Sequence, residues 1–222
     1  NFLVRELRQT GYYPNPYGSV TGTKTAHEQL AFGAVLPISG IEGGGSADDT
    51  LVTAYYTTTA DCIGDAPTGG ATAAQAVTPT SLSAAGVPVP GVPAAIAINR
   101  FTIANGASGR PSLFCNGVEI AEGIESLQIR YGEDTDNDGF VDTYSAFDQI
   151  GDMTTVMIVQ VAILAATIRE PNRERDIKTY SLFGTIIDPV NDGRIRRVYS
   201  ATIRLRNRCN MLQVSNGSRP CA

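Results

Sequence analysis

Residues Ser126-Leu-Gln-Ile-Arg-Tyr-Gly-Glu-Asp-Thr-Asp-Asn-Asp-Gly-Phe-Val-Asp142 join an alternating run to an acidic one. The first part alternates apolar and polar side chains at period two, the mark of a half-buried strand. The second part sets carboxylates at Asp134, Asp136, Asp138 and Asp142 around Gly139. Like charges so close repel, and the spacing makes sense if a cation neutralises them. Hard cations such as calcium take several oxygens, and alternate Asp residues on a tightly turning backbone supply them. Gly139 permits the turn, and the carbonyl of Phe140 falls where a calcium loop lends a backbone oxygen. The first half of an EF-hand loop is matched. The second half is not, because Ser145 stands in place of the closing bidentate Glu. A strand, rather than a helix, leads into the loop. We therefore read a structural calcium loop on a strand-rich scaffold, with Asp134, Asp136, Asp138, Phe140 and Asp142 as ligands. The plainer alternative is a solvated Asp/Gly turn.

The 222 residues suit one large domain or two small ones, and 42% hydrophobic content is enough for a core. A net charge of −5 argues against a protein that coats nucleic acid as a whole. Cys62, Cys115, Cys209 and Cys221 show no CxxC spacing and His27 is the only imidazole, which disfavours zinc. An even number of well-separated Cys reads as two disulfides in an oxidising compartment. Of the three possible pairings, Cys62–Cys115 with Cys209–Cys221 is favoured, because the second bond closes a short polar tail. On the chain-entropy model the two loops contribute roughly 4 and roughly 3 kcal/mol. No apolar run is long enough to span a bilayer, no signal peptide is present, and the chain opens with Asn1. An exported, disulfide-bearing protein then implies an N-terminal segment that has been removed.

Phe2, Leu3 and Leu7 share a helical stripe, with Arg5, Glu6 and Arg8 elsewhere, so the chain begins with the last turns of an amphipathic helix, broken by Gly11 and Pro14. A polar, Gly-rich stretch follows through Gly45. The β-branched run Thr50 to Thr59 reads as a strand leading to Cys62. Residues Gly64 to Ala95 are rich in Ala, Gly, Pro and Thr, too poor in large apolar groups to hold a core, and read as a long surface excursion. Ile96 to Ile103 and Ser112 to Cys115 read as strands joined by a turn. Thr155 to Ile168, nearly all apolar, reads as a buried central strand. Thr179 to Ile187 and Ile195 to Leu205 read as a hairpin with a longer loop. One helix followed by an antiparallel sheet makes an α+β arrangement.

Arg194, Arg196, Arg197, Arg204, Arg206 and Arg208 make this C-terminal hairpin basic against an acidic whole. Arg204, Arg206 and Arg208 lie at period two on one strand face. They form a docking stripe, a phosphate-tracking stripe, or a charged edge that discourages edge-to-edge pairing. His27 has no partner in a recognisable hydrolase setting, and no GxSxG, P-loop or GxGxxG is present. Glu119, Glu122 and Glu125 show no spacing that sets a carboxylate pair toward a substrate. The reading is that of a protein without catalysis.

Several blocks, in order, resemble the PilW-type minor pilins of type IV pili, which are similar to J-type pseudopilins of type II secretion. They are Arg5-Glu-Leu-Arg-Gln-Thr-Gly-Tyr12; Asp61-Cys-Ile-Gly64; Arg110-Pro-Ser-Leu-Phe-Cys115; the block from Glu122 to Gly139; and Arg196-Arg-Val-Tyr-Ser-Ala-Thr-Ile-Arg-Leu-Arg-Asn-Arg208. The resemblance implies a pilin-like fold, with residues 1–12 the end of a truncated helix packed on an antiparallel β-sheet head of residues 13–222. Residues 64–95 would be a surface insertion. It implies a protein held in the inner membrane through its N-terminal helix, head in the periplasm, and later carried on the surface pilus. There it would help prime assembly and form a tip complex with other minor pilins and a tip adhesin. No small-molecule substrate is implied. The alternatives are a DNA-uptake (competence) pilus subunit and a calcium-dependent adhesive or carbohydrate-binding module.

Overall fold

The computed structural model describes residues 2–12, 36–57, 60–65, 95–136, 138–171, 174–189 and 191–207. His27, Arg208, the Cys209–Cys221 pairing and most of the Ala/Gly/Pro/Thr-rich excursion lie outside them.

Helix α1 (Phe2–Gln9) turns its apolar stripe onto the head. Leu7 is fully buried, and Phe2, Leu3 and Val4 pack against the same core. The Phe2 ring meets Phe101 edge-on at 6.2 Å. Gly11, at φ 75°, ends the helix in a left-handed turn that a side chain would strain. Its amide then donates to the carbonyl of Ala54.

The first sheet is a five-stranded antiparallel meander of β1 (Ile38–Ile41), β2 (Thr50–Thr57), β3 (Ala95–Asn105), β4 (Pro111–Cys115) and β5 (Val118–Glu122), in sequence order. Gly123 alone carries the chain into the second sheet. Its amide donates to Pro111 on the first sheet, and its carbonyl accepts from Ala166 on the second. A Cβ at Gly123 would lie 2.6 Å from the Ala166 carbonyl oxygen, so no larger residue fits this crossing.

The second sheet has four antiparallel strands in the order β11–β8–β6–β7: β6 (Ile124–Glu133), β7 (Thr143–Ser145), β8 (Val156–Ala166) and β11 (Arg196–Arg204). Val159 and Val161 of β8 face the main core, which also takes Leu51, Phe101, Leu127, Ile129 and Ile203 from both sheets. Ala162 and Leu164 point the other way, onto Leu182 and Ile187. A strand buried on both faces must be apolar throughout, which accounts for its unbroken hydrophobic run. The α+β arrangement of a short helix on antiparallel sheets is thus the observed one.

One reading needs correction. Thr179 to Ile187 is not one strand of a hairpin with Ile195 to Leu205. Phe183 and Gly184, both at positive φ, fold it back on itself as β9 (Tyr180–Leu182) against β10 (Thr185–Ile187). β11 instead pairs along its whole length with β8, from Arg196↔Ala166 to Arg204↔Ile158. The Gly-rich stretch through Gly45 contains β1, and the turn beyond β1 covers the outer edge of β6. There the Asp48 carboxylate accepts from the Leu127 amide (3.0 Å), and that of Asp49 accepts from Ile129 (2.7 Å) and Gly43 (3.0 Å). Carboxylates replace a neighbouring strand, so these edge amides are not left orphaned.

The Cys62–Cys115 disulfide forms, tying the loop after β2 to the end of β4, with a Cα–Cα distance of 6.4 Å.

Candidate functional site

Three pairings, Tyr131↔Ser145, Gly132↔Tyr144 and Glu133↔Thr143, close a loop between β6 and β7. The Asp134 amide donates to Thr155 ahead of β8, and the Asp142 amide to Glu133, so both ends of the loop are pinned. Inside it the side chains organise the backbone locally. Asp136 accepts from the Asp138 amide (3.0 Å), Asp138 from Phe140 (2.8 Å) and the Asp134 Oδ2 from Gly139 (3.0 Å). Gly139, at φ 94°, makes the turn.

This wrapping brings carboxylate oxygens of Asp134, Asp136 and Asp138 within 4.8 Å of one another. Asp136 and Asp138 are exposed, whereas Asp134 is only 1% exposed. Its second oxygen, Oδ1, is buried with no hydrogen-bond partner among the described residues. A buried carboxylate oxygen without a donor is costly, and a cation is the natural partner for one flanked by two further carboxylates. The donor set, all hard oxygens, fits calcium or magnesium and not a soft metal.

Asp142 is not brought to these three. Its Oδ2 accepts from both the amide (2.8 Å) and the hydroxyl (2.7 Å) of Thr135. Those two bonds hold its carboxyl below the usual range. The Phe140 side chain is 73% exposed, so packing does not explain a Phe there.

Where helix α1 enters the head, a second polar site appears that sequence reasoning missed. Glu6 had been set off the apolar stripe, yet it is 1% exposed. Its Oε2 accepts from the Tyr55 hydroxyl and from Asn99 Nδ2, both at 3.0 Å, and its Oε1 from Arg5. Burial, with the Glu6 carboxylate adding to it, pushes the Tyr55 phenol up to about 12, so the hydroxyl stays a donor at any physiological pH. Asn99 Oδ1 accepts from the amide of Cys62, which links the disulfide to the same hub. Asn207, beyond β11, donates to the carbonyls of Arg8, Gln9 and Thr10 at 3.1, 3.3 and 3.2 Å. These are among the orphan acceptors that a helix C-terminus leaves. Blocks from opposite ends of the chain, Arg5 to Tyr12 and Arg196 to Arg208, therefore meet.

The basic C-terminal segment divides in two. The Arg196 side chain is fully buried and pairs bidentately with Glu125 (2.6 and 3.0 Å) and again with Asp192 (2.9 and 3.1 Å). Arg194, largely buried, lies 3.6 Å from Glu125 and 3.4 Å from Asp192. These two arginines are internal fasteners, not surface. Arg204 is exposed at the end of β11, an edge strand paired only with β8 among the described residues, and Arg206 is exposed in the turn beyond it, so the two do not share a strand face. The glutamates go to separate partners: Glu119 accepts from Ser112, Glu122 from Arg110 and Ser108, and Glu125 from Arg196.

Among the described residues no helix is long and apolar enough to cross a membrane. Residues 100–207 match the model of the family described as Type IV Pilus-assembly protein W. A search of curated proteins returns no match. Among solved structures, a type IV-like pilin from Thermus thermophilus is similar over 93% of this chain and 92% of that one, at 12% identity and a TM-score of 0.46. The family match takes in the acidic loop, the Arg196 cluster and the helix-capping Asn207, and over that span it bears out the PilW-type recognition that the ordered sequence blocks implied.

Proposed function

We propose that this chain serves a type IV pilus as a PilW-like minor pilin, helping to prime assembly and to form the tip complex with other minor pilins and a tip adhesin. The observation that carries the reading is the family match over residues 100–207. The geometry supports it. Glu6, Tyr55, Asn99 and Asn207 fix α1 to the head from two sides, as suits a subunit whose helix and head must be placed together. The protein waits in the inner membrane with its head in the periplasm and then joins the surface pilus. Exposed Arg204 and Arg206, with Arg208 beyond them, offer neighbours a docking edge. The chemistry is packing, not catalysis.

The loop from Asp134 to Asp142 takes a structural calcium ion. Asp134, Asp136 and Asp138 would hold it, with the Phe140 carbonyl as the backbone ligand that calcium loops use. An ion that binds only the folded head adds its binding free energy to stability. Thermal unfolding of the chain should therefore shift upward with calcium and fall back with chelator, and Asp136→Ala with Asp138→Ala should abolish the shift. Identical melting curves would remove calcium from this account.

The pilus reading is tested by deleting the gene in its host and counting surface pili. Loss of pili, restored by the intact gene, is the expected outcome. Normal piliation with lost DNA uptake would point instead to a competence role for Arg204, Arg206 and Arg208. An upstream coding sequence lacking a prepilin cleavage site and the roughly twenty apolar residues of a membrane helix would contradict both.

A further inference from the structure

Resting on the calcium reading above, we propose that Thr135 and Asp142 form a latch that keeps the fourth carboxylate off the ion and so sets the affinity of the loop. The supporting observations are independent of one another. Asp134, whose Oδ1 is buried without a hydrogen-bond partner among the described residues, also belongs to the carboxylate group with Asp136 and Asp138, and together these mark the cluster as the ion's place. Asp142 sits where the sequence spacing would make it a further ligand, yet its Oδ2 is taken by two short bonds from Thr135, at 2.8 and 2.7 Å. Hydrogen bonds to an ionised carboxylate are roughly twice as strong as neutral ones. Recruiting Asp142 to the ion through Oδ2 would break both.

The consequence is a weak site. Calcium loops tune affinity by ligand charge count and rigidity. Three carboxylates, two of them exposed, and the Phe140 carbonyl, with water filling the remaining positions, place the loop near the roughly 0.1–1 mM range of extracellular modules. Occupancy then follows the calcium content of the surroundings. The head is braced in calcium-rich medium and looser in calcium-poor medium. Thr135 and Asp142 are positioning residues here, acting on the ion through what they withhold.

Calorimetric titration of the metal-free chain with calcium chloride tests this, with circular dichroism as a check on folding. Thr135→Val removes the hydroxyl bond and should tighten calcium binding by about tenfold, the worth of one charge-assisted hydrogen bond. Thr135→Ser keeps the hydroxyl and should bind like the parent. Asp142→Asn should weaken binding by no more than about threefold, because an exposed charge outside the coordination shell is screened. Binding that is unchanged or weaker in Thr135→Val, or a loss of about tenfold or more in Asp142→Asn, overturns the latch. In the second case Asp142 is itself a ligand. If Thr135→Val does not fold, the Asp142→Asn titration decides alone. No calcium heat in the parent chain would instead sink the calcium reading itself, an outcome distinct from failure of the latch.

Discussion

Glu6 and Asp134 are both 1% exposed, yet their surroundings differ in kind. Both oxygens of Glu6 accept bonds from within the chain, from Arg5, Tyr55 and Asn99. Asp134 has one oxygen answered, by the Gly139 amide, and one left over among the described residues. A buried carboxylate whose acceptors are all filled serves as a joint. One with a spare oxygen, flanked by two more carboxylates, could hold a cation. The helix–head junction is thus complete as it stands, and the β6–β7 loop keeps one buried acceptor open among the described residues.

Substitution at these two positions should separate the sites most sharply. Glu6→Ala strands the Tyr55 hydroxyl and the Asn99 amide in the core, and should cost about 3 kcal/mol in denaturant unfolding. Asp134→Asn keeps an acceptor for Gly139 and removes an unpaired buried charge. In chelator it should stay within about 1 kcal/mol of the parent, while losing the calcium-dependent gain. Equal losses at both positions would erase the distinction drawn here.

A smaller effect is expected from the Asp48–Asp49 turn, whose carboxylates serve as an edge strand. Burial holds both above the usual carboxylate range, against the bonds they accept from backbone amides. A carboxyl raised in the folded state contributes stability that is full below its ordinary value near 4 and lost as pH rises through the raised one. Stability of Asp49→Asn, followed by denaturant unfolding from about pH 4 upward, should fall less steeply than that of the parent. A steeper fall would mean that the ionised form is the favoured one.

What could be read in advance follows from the range of the interactions. The acidic loop was legible because its bonds span a few residues, and Gly139 and the Asp spacing carry its geometry. Even there the two bonds from Thr135 to Asp142 were not legible, since spacing alone does not tell which donors a carboxylate meets. β8 was legible because burial on two faces demands an apolar run. Glu6 was not, because Tyr55 and Asn99 lie 49 and 93 residues away, and a Glu between two Arg residues looks like solvated surface. Arg196 was misread on the same ground, its partner Glu125 being 71 residues distant. The supposed hairpin failed for a local reason. Two positive-φ residues, Phe183 and Gly184, split what composition showed as one strand, and only the Gly announces itself.

Hydrogen–deuterium exchange of the metal-free chain, with and without calcium above the roughly millimolar range of extracellular sites, probes both regions at once. Calcium should slow exchange between Gly132 and Tyr144 and leave the amides of α1 and the Gly11 turn unchanged. Exchange in the loop that ignores calcium, or protection that appears equally at the helix–head junction, would contradict the claim that one site is finished and the other awaits an ion.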